Sequence, residues 1–160
     1  MKSFIELFRG GKWRRTGIIW WNLLDGWPQF SDAVIDYYFE KKLAYHYIRR
    51  VQVPVCLMLK EPCEGRQRLA GVNDRLAEAQ VRYRLWDADS GKVSCQGEAR
   101  LAANAATDLG AIDHVPATRR FFIIEWECGG GVHRNHYLAG EPPFDLNTYL
   151  EWMHKVGRNE

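Results

Sequence analysis

The chain has 160 residues, 46% of them hydrophobic, which suits one domain, or one domain with an appendage, built around a real core. Its 22 basic and 20 acidic side chains are interspersed and leave a formal net charge of +2, so no face is basic enough to hold a phosphate backbone and nucleic acid is not an expected partner. No stretch reaches the roughly 18 continuous apolar residues of a membrane span, so no membrane partner is expected either.

Residues 1–11 do not read as a signal peptide, and residues 2–9 read as one short helix. Glu6 interrupts the apolar run and no small-residue cleavage site follows, while Phe4, Ile5 and Phe8 lie at helical spacing before Gly10-Gly11 stops the pattern. Residues 17–21, GIIWW, are a continuous apolar run of the length of a strand buried on both faces. A loop ends near Asp36, and over residues 41–52 Leu43, Ala44, Tyr47, Ile48 and Val51 share one face of a second helix. Helix, strand, loop, helix is a piece of an alternating α/β structure, yet one strand cannot make a parallel sheet.

From Pro54 the pattern becomes that of an antiparallel β domain. Strands are predicted at 55–59, 68–73, 79–86 and 92–99, the last two joined by the Asp89-Ser90-Gly91 turn. Residues 100–114, rich in alanine, fit a strand and loop or a short helix equally well. Residues 120–128 and 132–138 flank Gly129-Gly130-Gly131 as a second hairpin. About seven strands with regular turn signals fit an immunoglobulin-like antiparallel β-sandwich, which makes the chain mainly β. In the tail Asp145 caps a helix whose apolar face is Leu146, Tyr149, Leu150 and Met153, with Glu151, His154 and Lys155 turned to solvent. The chain thereby divides into residues 1–52, 53–140 and 141–160.

The chemistry-bearing stretch is residues 17–30, where an apolar run ends in two tryptophans and opens into a loop carrying Asn22, Asp25 and Trp27. Aromatic and carboxylate groups gathered at a strand end look like the rim of a sugar site. Other constellations are weaker. Cys128, His133 and His136 are a poor metal set, because His-x-x-His on a strand puts the two rings on opposite faces. The triple glycine is not followed by the Lys-Ser/Thr of a phosphate loop, and nothing calls for a cofactor. The four cysteines, Cys56, Cys63, Cys95 and Cys128, lack CxxC spacing and are expected as reduced thiols in a cytoplasmic protein.

The run GIIWWNLLDGWPQFSDAVIDYYFEKKLAYHYIRR resembles the last barrel strand, loop and helix of family 2 glycoside hydrolases, especially β-mannosidase-like members. Trp21, Asp25, Trp27, Pro28, Asp36, Tyr37, Tyr38 and Lys42 sit where that pattern places them, with Leu24 and Gly26 as departures. The segments VPVCLML, GVND and NHYLAGEPPFD resemble the accessory sandwich and terminal part of such enzymes.

The resemblance implies that residues 1–52 are the end of a (β/α)8 barrel. It also implies a C-terminal portion of a retaining glycosidase acting in carbohydrate metabolism, whose two glutamates lie at the ends of the fourth and seventh strands, before this chain starts. A retaining mechanism needs two carboxyls about 5–5.5 Å apart, so the chain is expected to hold no catalytic residue and to be inactive alone. Trp21 would form part of the platform for the sugar, with Asn22, Asp25 and Trp27 lining the site in the intact barrel and Asp25 orienting the loop or a hydroxyl, while Trp20 packs on helices. The implied partners are the rest of the barrel and, through it, a carbohydrate. An apolar strand with open edges also predicts that residues 17–22 pair abnormally, pack on the sandwich or mediate self-association. The alternative is a free-standing carbohydrate-binding or protein-interaction sandwich module, which would show a row of aromatics on one sheet face.

Overall fold

The structure is a computed structural model and describes residues 1–114 and 118–157. The chain forms two compact units, Met1–Val53 and Pro54–Glu160.

The second unit is the sandwich. Its strands are β1 (Val55–Leu59), β2 (Arg66–Asn73), β3 (Ala79–Asp87), β4 (Val93–Leu101), β5 (Ala105–Asp113), β6 (Arg120–Cys128) and β7 (Gly131–Ala139). They pair antiparallel into one sheet ordered β1-β2-β5 and another ordered β4-β3-β6-β7. Period-two patterning explains β3, where Val81 and Leu85 are buried and Arg82 and Arg84 exposed. The β6–β7 hairpin closes on Gly129 (φ 59°) and Gly130 (φ 79°), two successive left-handed positions of the kind a two-residue hairpin loop requires.

The alanine-rich stretch left open by sequence resolves into the end of β4, a turn at Asn104 (φ 50°) and β5. Helix propensity loses there because β5 pairs along β2 from Arg66–Asp113 to Asn73–Ala105, with a register shift between Arg68 and Ala70. The sheets meet over Leu57, Leu69, Leu85, Leu101, Ile124 and Trp126, all buried. Gly71 lets them approach, since a Cβ there would lie 2.8 Å from Leu101 Cδ2. Asn135 stitches the sheets by donating from Nδ2 to the Leu57 carbonyl at 2.9 Å.

Gln67 lies in the same core with no exposure, and neither its Oε1 nor its Nε2 has a hydrogen-bond partner among the described residues. A buried amide left unpaired costs about 1–3 kcal/mol, so Gln67→Leu should raise the unfolding free energy by about 1 kcal/mol in urea denaturation. A loss of stability would show that the amide is satisfied.

Helix α3 (Leu146–Val156) covers part of the outer face of the four-stranded sheet and explains why β6 is buried on both sides. Asp145 caps it by accepting from the Thr148 amide and hydroxyl at 2.8 Å each. The buried face differs from the expected one. Trp152 and Val156, with Tyr149 and Met153, pack on Ala88, Phe121 and Ile123, whereas Leu146 and Leu150 are exposed. Both stripes have helical spacing, and the larger indole decides. Trp152 stacks on Phe121 at 5.1 Å and donates to Asp89 Oδ1 at 2.6 Å. Lys155 is exposed, as expected, and its Nζ donates to the Ala88 carbonyl at 2.6 Å.

The same turn carries Asp87. Burial works to raise its pKa, but Ser90 N–H and O–H, the Asp89 N–H and the Arg120 guanidinium together outweigh it and hold the carboxyl below the usual range. A folded pKa below the unfolded one gives stability that is present above the unfolded value and lost as pH falls through the folded one. Acid denaturation should therefore be less steep below about pH 4 in Asp87→Asn, which starts less stable at neutral pH. Parallel acid limbs would contradict this.

The first unit has helices α1 (Lys2–Arg9) and α2 (Leu43–Val51). Arg9 donates to the carbonyls of Val51 and, at 2.9 Å, Val53, tying the end of α2 to α1. The strand expected over residues 17–21 is not formed. These residues have no ladder partner among the described residues, and Ile19 is 98% exposed. An apolar run becomes a parallel strand only with neighbours to take its N–H and C=O groups, and this unit supplies none. No described helix is long and apolar enough to cross a membrane.

Candidate functional site

The loop between residues 21 and 42 is short of regular structure but not of hydrogen bonds. Ile35 donates to the Leu23 carbonyl at 3.0 Å, Asp25 donates to the Ile35 carbonyl at 3.1 Å, and Lys42, the N-cap of α2, donates to the Val34 carbonyl at 3.0 Å. Ala33 and Val34 are buried beneath them. A tight turn follows, in which Asp36 Oδ1 accepts from the amides of Tyr38 (2.9 Å) and Glu40 (2.8 Å), with Phe39 at φ 67°.

Asp25 is the hub of this loop and is only 2% exposed. Its Oδ2 accepts from Lys42 Nζ at 2.7 Å, and its Oδ1 accepts from Ser31 Oγ and, at 3.2 Å, from Gln29 Nε2. The hydrogen bond from Lys42 and then that from Ser31 hold the carboxyl below the usual aspartate range against its burial, with Gln29 and the Lys42 charge adding to them. Such a carboxylate is ionised and fully occupied. Its chemistry is that of a brace rather than of a proton donor.

The other expected residues lie around the hub. Trp21 is 77% exposed, Asn22 is half-buried and Trp27 is 66% exposed. The Trp27 indole N–H donates to Gln29 Oε1. Trp20, expected to face inward, is half-buried. The structure therefore offers two solvent-facing indoles on a loop whose interior is an ion pair.

Gln29, Ser31 and the partnership of Lys42 with Asp25 were not assigned from sequence. A pair separated by 17 residues follows neither helical nor strand periodicity, and Gln29 and Ser31 read as ordinary loop polarity. Elsewhere, His133 stacks on Trp126 at 5.5 Å and His136 on Phe121 at 5.1 Å, so strand alternation does separate the two rings.

The exposed part of the four-stranded sheet carries charge rather than aromatics. Arg82 meets Glu98 at 2.9 Å, Arg84 meets Glu125 at 2.8 Å and Arg134 meets Glu125 at 2.6 Å, three cross-strand pairs on one face. A groove of about 560 Å³ beside the Gly129-Gly130 turn is lined by Arg82, Glu98, Arg100 and Glu127. The aromatic row expected of a free-standing carbohydrate-binding sandwich is not on this face among the described residues.

No family model matches the chain. It is 25% identical over 157 residues to β-mannosidase B of Thermothelomyces thermophilus, covering 85% of this chain and 18% of that enzyme. Among solved structures it is similar to a β-D-mannosidase from Dictyoglomus thermophilum, at 26% identity and TM-score 0.71, covering 86% of this chain and 18% of that one. The exo-chitosanase of Amycolatopsis orientalis shares the fold at TM-score 0.64 and 16% identity, again over 88% of this chain and 18% of the other. The chain spans about a fifth of the length of these relatives. The relatives are glycoside hydrolases, and the matches fit a C-terminal segment of the family 2 architecture.

Proposed function

We propose that this chain is the C-terminal part of a retaining β-mannosidase-like glycosidase, with residues 17–42 as the last wall of the sugar site. Residues 1–52 then belong to the barrel, residues 53–140 are the accessory sandwich, and residues 141–160 are the helical segment after it. The observation that carries the reading is the braced loop: Asp25 and Lys42 lock it from within while Trp21 faces solvent, in a chain whose relatives are β-mannosidases. Active sites of (β/α)8 barrels are built from loops at the strand C-termini, so a Trp-bearing loop after the last strand lines the site. Trp21 serves as the sugar platform beside Asn22 and Trp27, and Asp25 acts from behind by holding the loop. The acid and nucleophile carboxyls come from the rest of the barrel, so the isolated chain is inert. Four cysteines as reduced thiols support a cytoplasmic location.

The test is a graft. The Dictyoglomus β-mannosidase deprived of its matching segment should lose hydrolysis of p-nitrophenyl β-mannoside and regain it when this chain takes the segment's place. A graft that melts cooperatively yet stays inactive would overturn the proposal.

The missing neighbours leave Ile19, Leu23 and Phe30 exposed. Without them the chain should self-associate through residues 17–22. Sedimentation equilibrium should show species larger than a monomer that shrink toward it in Ile19→Lys. A monomeric wild-type chain would contradict this.

A further inference from the structure

The two solvent-facing indoles of the loop are not equivalent. The Trp21 N–H donates to no protein group among the described residues, so this ring presents both a face and a free donor. Trp27 has spent its N–H on Gln29 Oε1 and presents a face alone. Gln29 is held in turn, because its Nε2 donates to Asp25 Oδ1 at 3.2 Å, and Asp25 is anchored by Lys42 at 2.7 Å. A hydrogen-bonded line therefore runs from a buried ion pair through one amide to the edge of an exposed ring. An amide whose oxygen and nitrogen are both engaged has one orientation, and so does the indole it accepts from.

An exposed tryptophan held this way has a chemical use. A pyranoside has a face of C–H groups and a rim of hydroxyls. An indole without a free donor can recognise only the C–H face, through its π surface. We propose that Trp27 is a stacking platform for a pyranoside ring, with Gln29 as the positioning residue that aims it and the Asp25–Lys42 pair as the anchor behind. Trp21 and Trp27 then divide the recognition: the first can combine stacking with a hydrogen bond to a hydroxyl, the second stacks only. The inference rests on the sugar-site reading above and adds to it a second ring and a residue that sets its direction.

Indole resonances of the isotopically labelled 160-residue chain, carrying Ile19→Lys to keep it monomeric, test both halves. Solvent exchange of the Trp27 N–H should be about tenfold slower than that of Trp21, the factor a net hydrogen bond gives. Gln29→Leu should abolish the difference, and Gln29→Glu, which keeps an acceptor, should restore at least part of it. On titration with methyl β-mannoside to sub-molar concentration, the Trp27 ring C–H signals should shift while its N–H signal stays nearly still. Gln29→Leu should reduce that shift and leave the Trp21 response unchanged.

Equal exchange of the two N–H groups in the monomeric chain with Gln29 in place would overturn the positioning role of Gln29. So would a Trp27 response that Gln29→Leu leaves intact. A response at Trp21 with none at Trp27 would overturn the second platform and leave the sugar-site reading standing. Silence at both rings would overturn the sugar-site reading itself, and this inference with it.

Discussion

Truncating Trp126 to alanine should cost the sandwich about 3–5 kcal/mol, the range for removing a large aromatic from a packed core. Trp126 lies on the inner face of β6, a strand paired on both sides, opposite Tyr83 on β3 and His133 on β7. It is 1% exposed, and its Nε1 has no hydrogen-bond partner among the described residues. The loss is therefore one of packing and cavity rather than of a broken hydrogen bond. Trp126→Phe, which removes the unpaired N–H with part of the ring, should recover most of it. Urea denaturation followed by far-UV circular dichroism measures both variants. A cost for alanine below about 1.5 kcal/mol would mean that the site collapses or is not core.

Lys42→Met should leave the sandwich intact and disable the loop. In the grafted enzyme kcat/KM for p-nitrophenyl β-mannoside should fall about a hundredfold, the scale expected when site residues shift by about 1 Å. The buried Asp25 would lose its charged partner, at 2.7 Å, and keep Ser31 and Gln29 among the described residues.

The sign of the pH effect follows from the direction of the shift. Because the Lys42 hydrogen bond is the main cause of the lowered Asp25 pKa, the order that this carboxylate provides persists above the ordinary aspartate range. It is lost only as pH falls through the depressed folded value. Removing Lys42 moves that loss to higher pH, so the variant's activity should fall off earlier on the acid side than the wild-type graft's. Wild-type activity and an unchanged acid limb in Lys42→Met would contradict the brace.

The sandwich was largely legible because its strands carry their own pattern. Val81, Leu85, Arg82 and Arg84 declare the two faces of β3, and glycines mark the hairpin at 129–130. The illegible parts depend on partners remote in sequence. Residues 105–113 are indifferent between helix and strand until β2 offers a ladder. Two apolar stripes compete on α3, and only the position of Phe121 and Asp89 selects the one containing Trp152.

Residues 17–21 have the composition of a buried strand but no sheet to join, so composition and structure part there for want of neighbours. In the loop, the pattern with Trp21, Asp25 and Trp27 was visible as a resemblance. Whether Asp25 orients the loop or a hydroxyl was not, because an inward carboxylate and an outward one look alike in sequence until Lys42 is brought to 2.7 Å.

The most direct measurement of the central claim is a crystal structure of the grafted enzyme with a bound β-mannoside. The account predicts the Trp21 ring face within van der Waals contact of the sugar, about 3.5–4.0 Å between carbons, with Asp25 still paired to Lys42 beneath the loop. A structure in which the sugar is held with Trp21 turned away into the barrel wall, or with Asp25 released from Lys42, would contradict it.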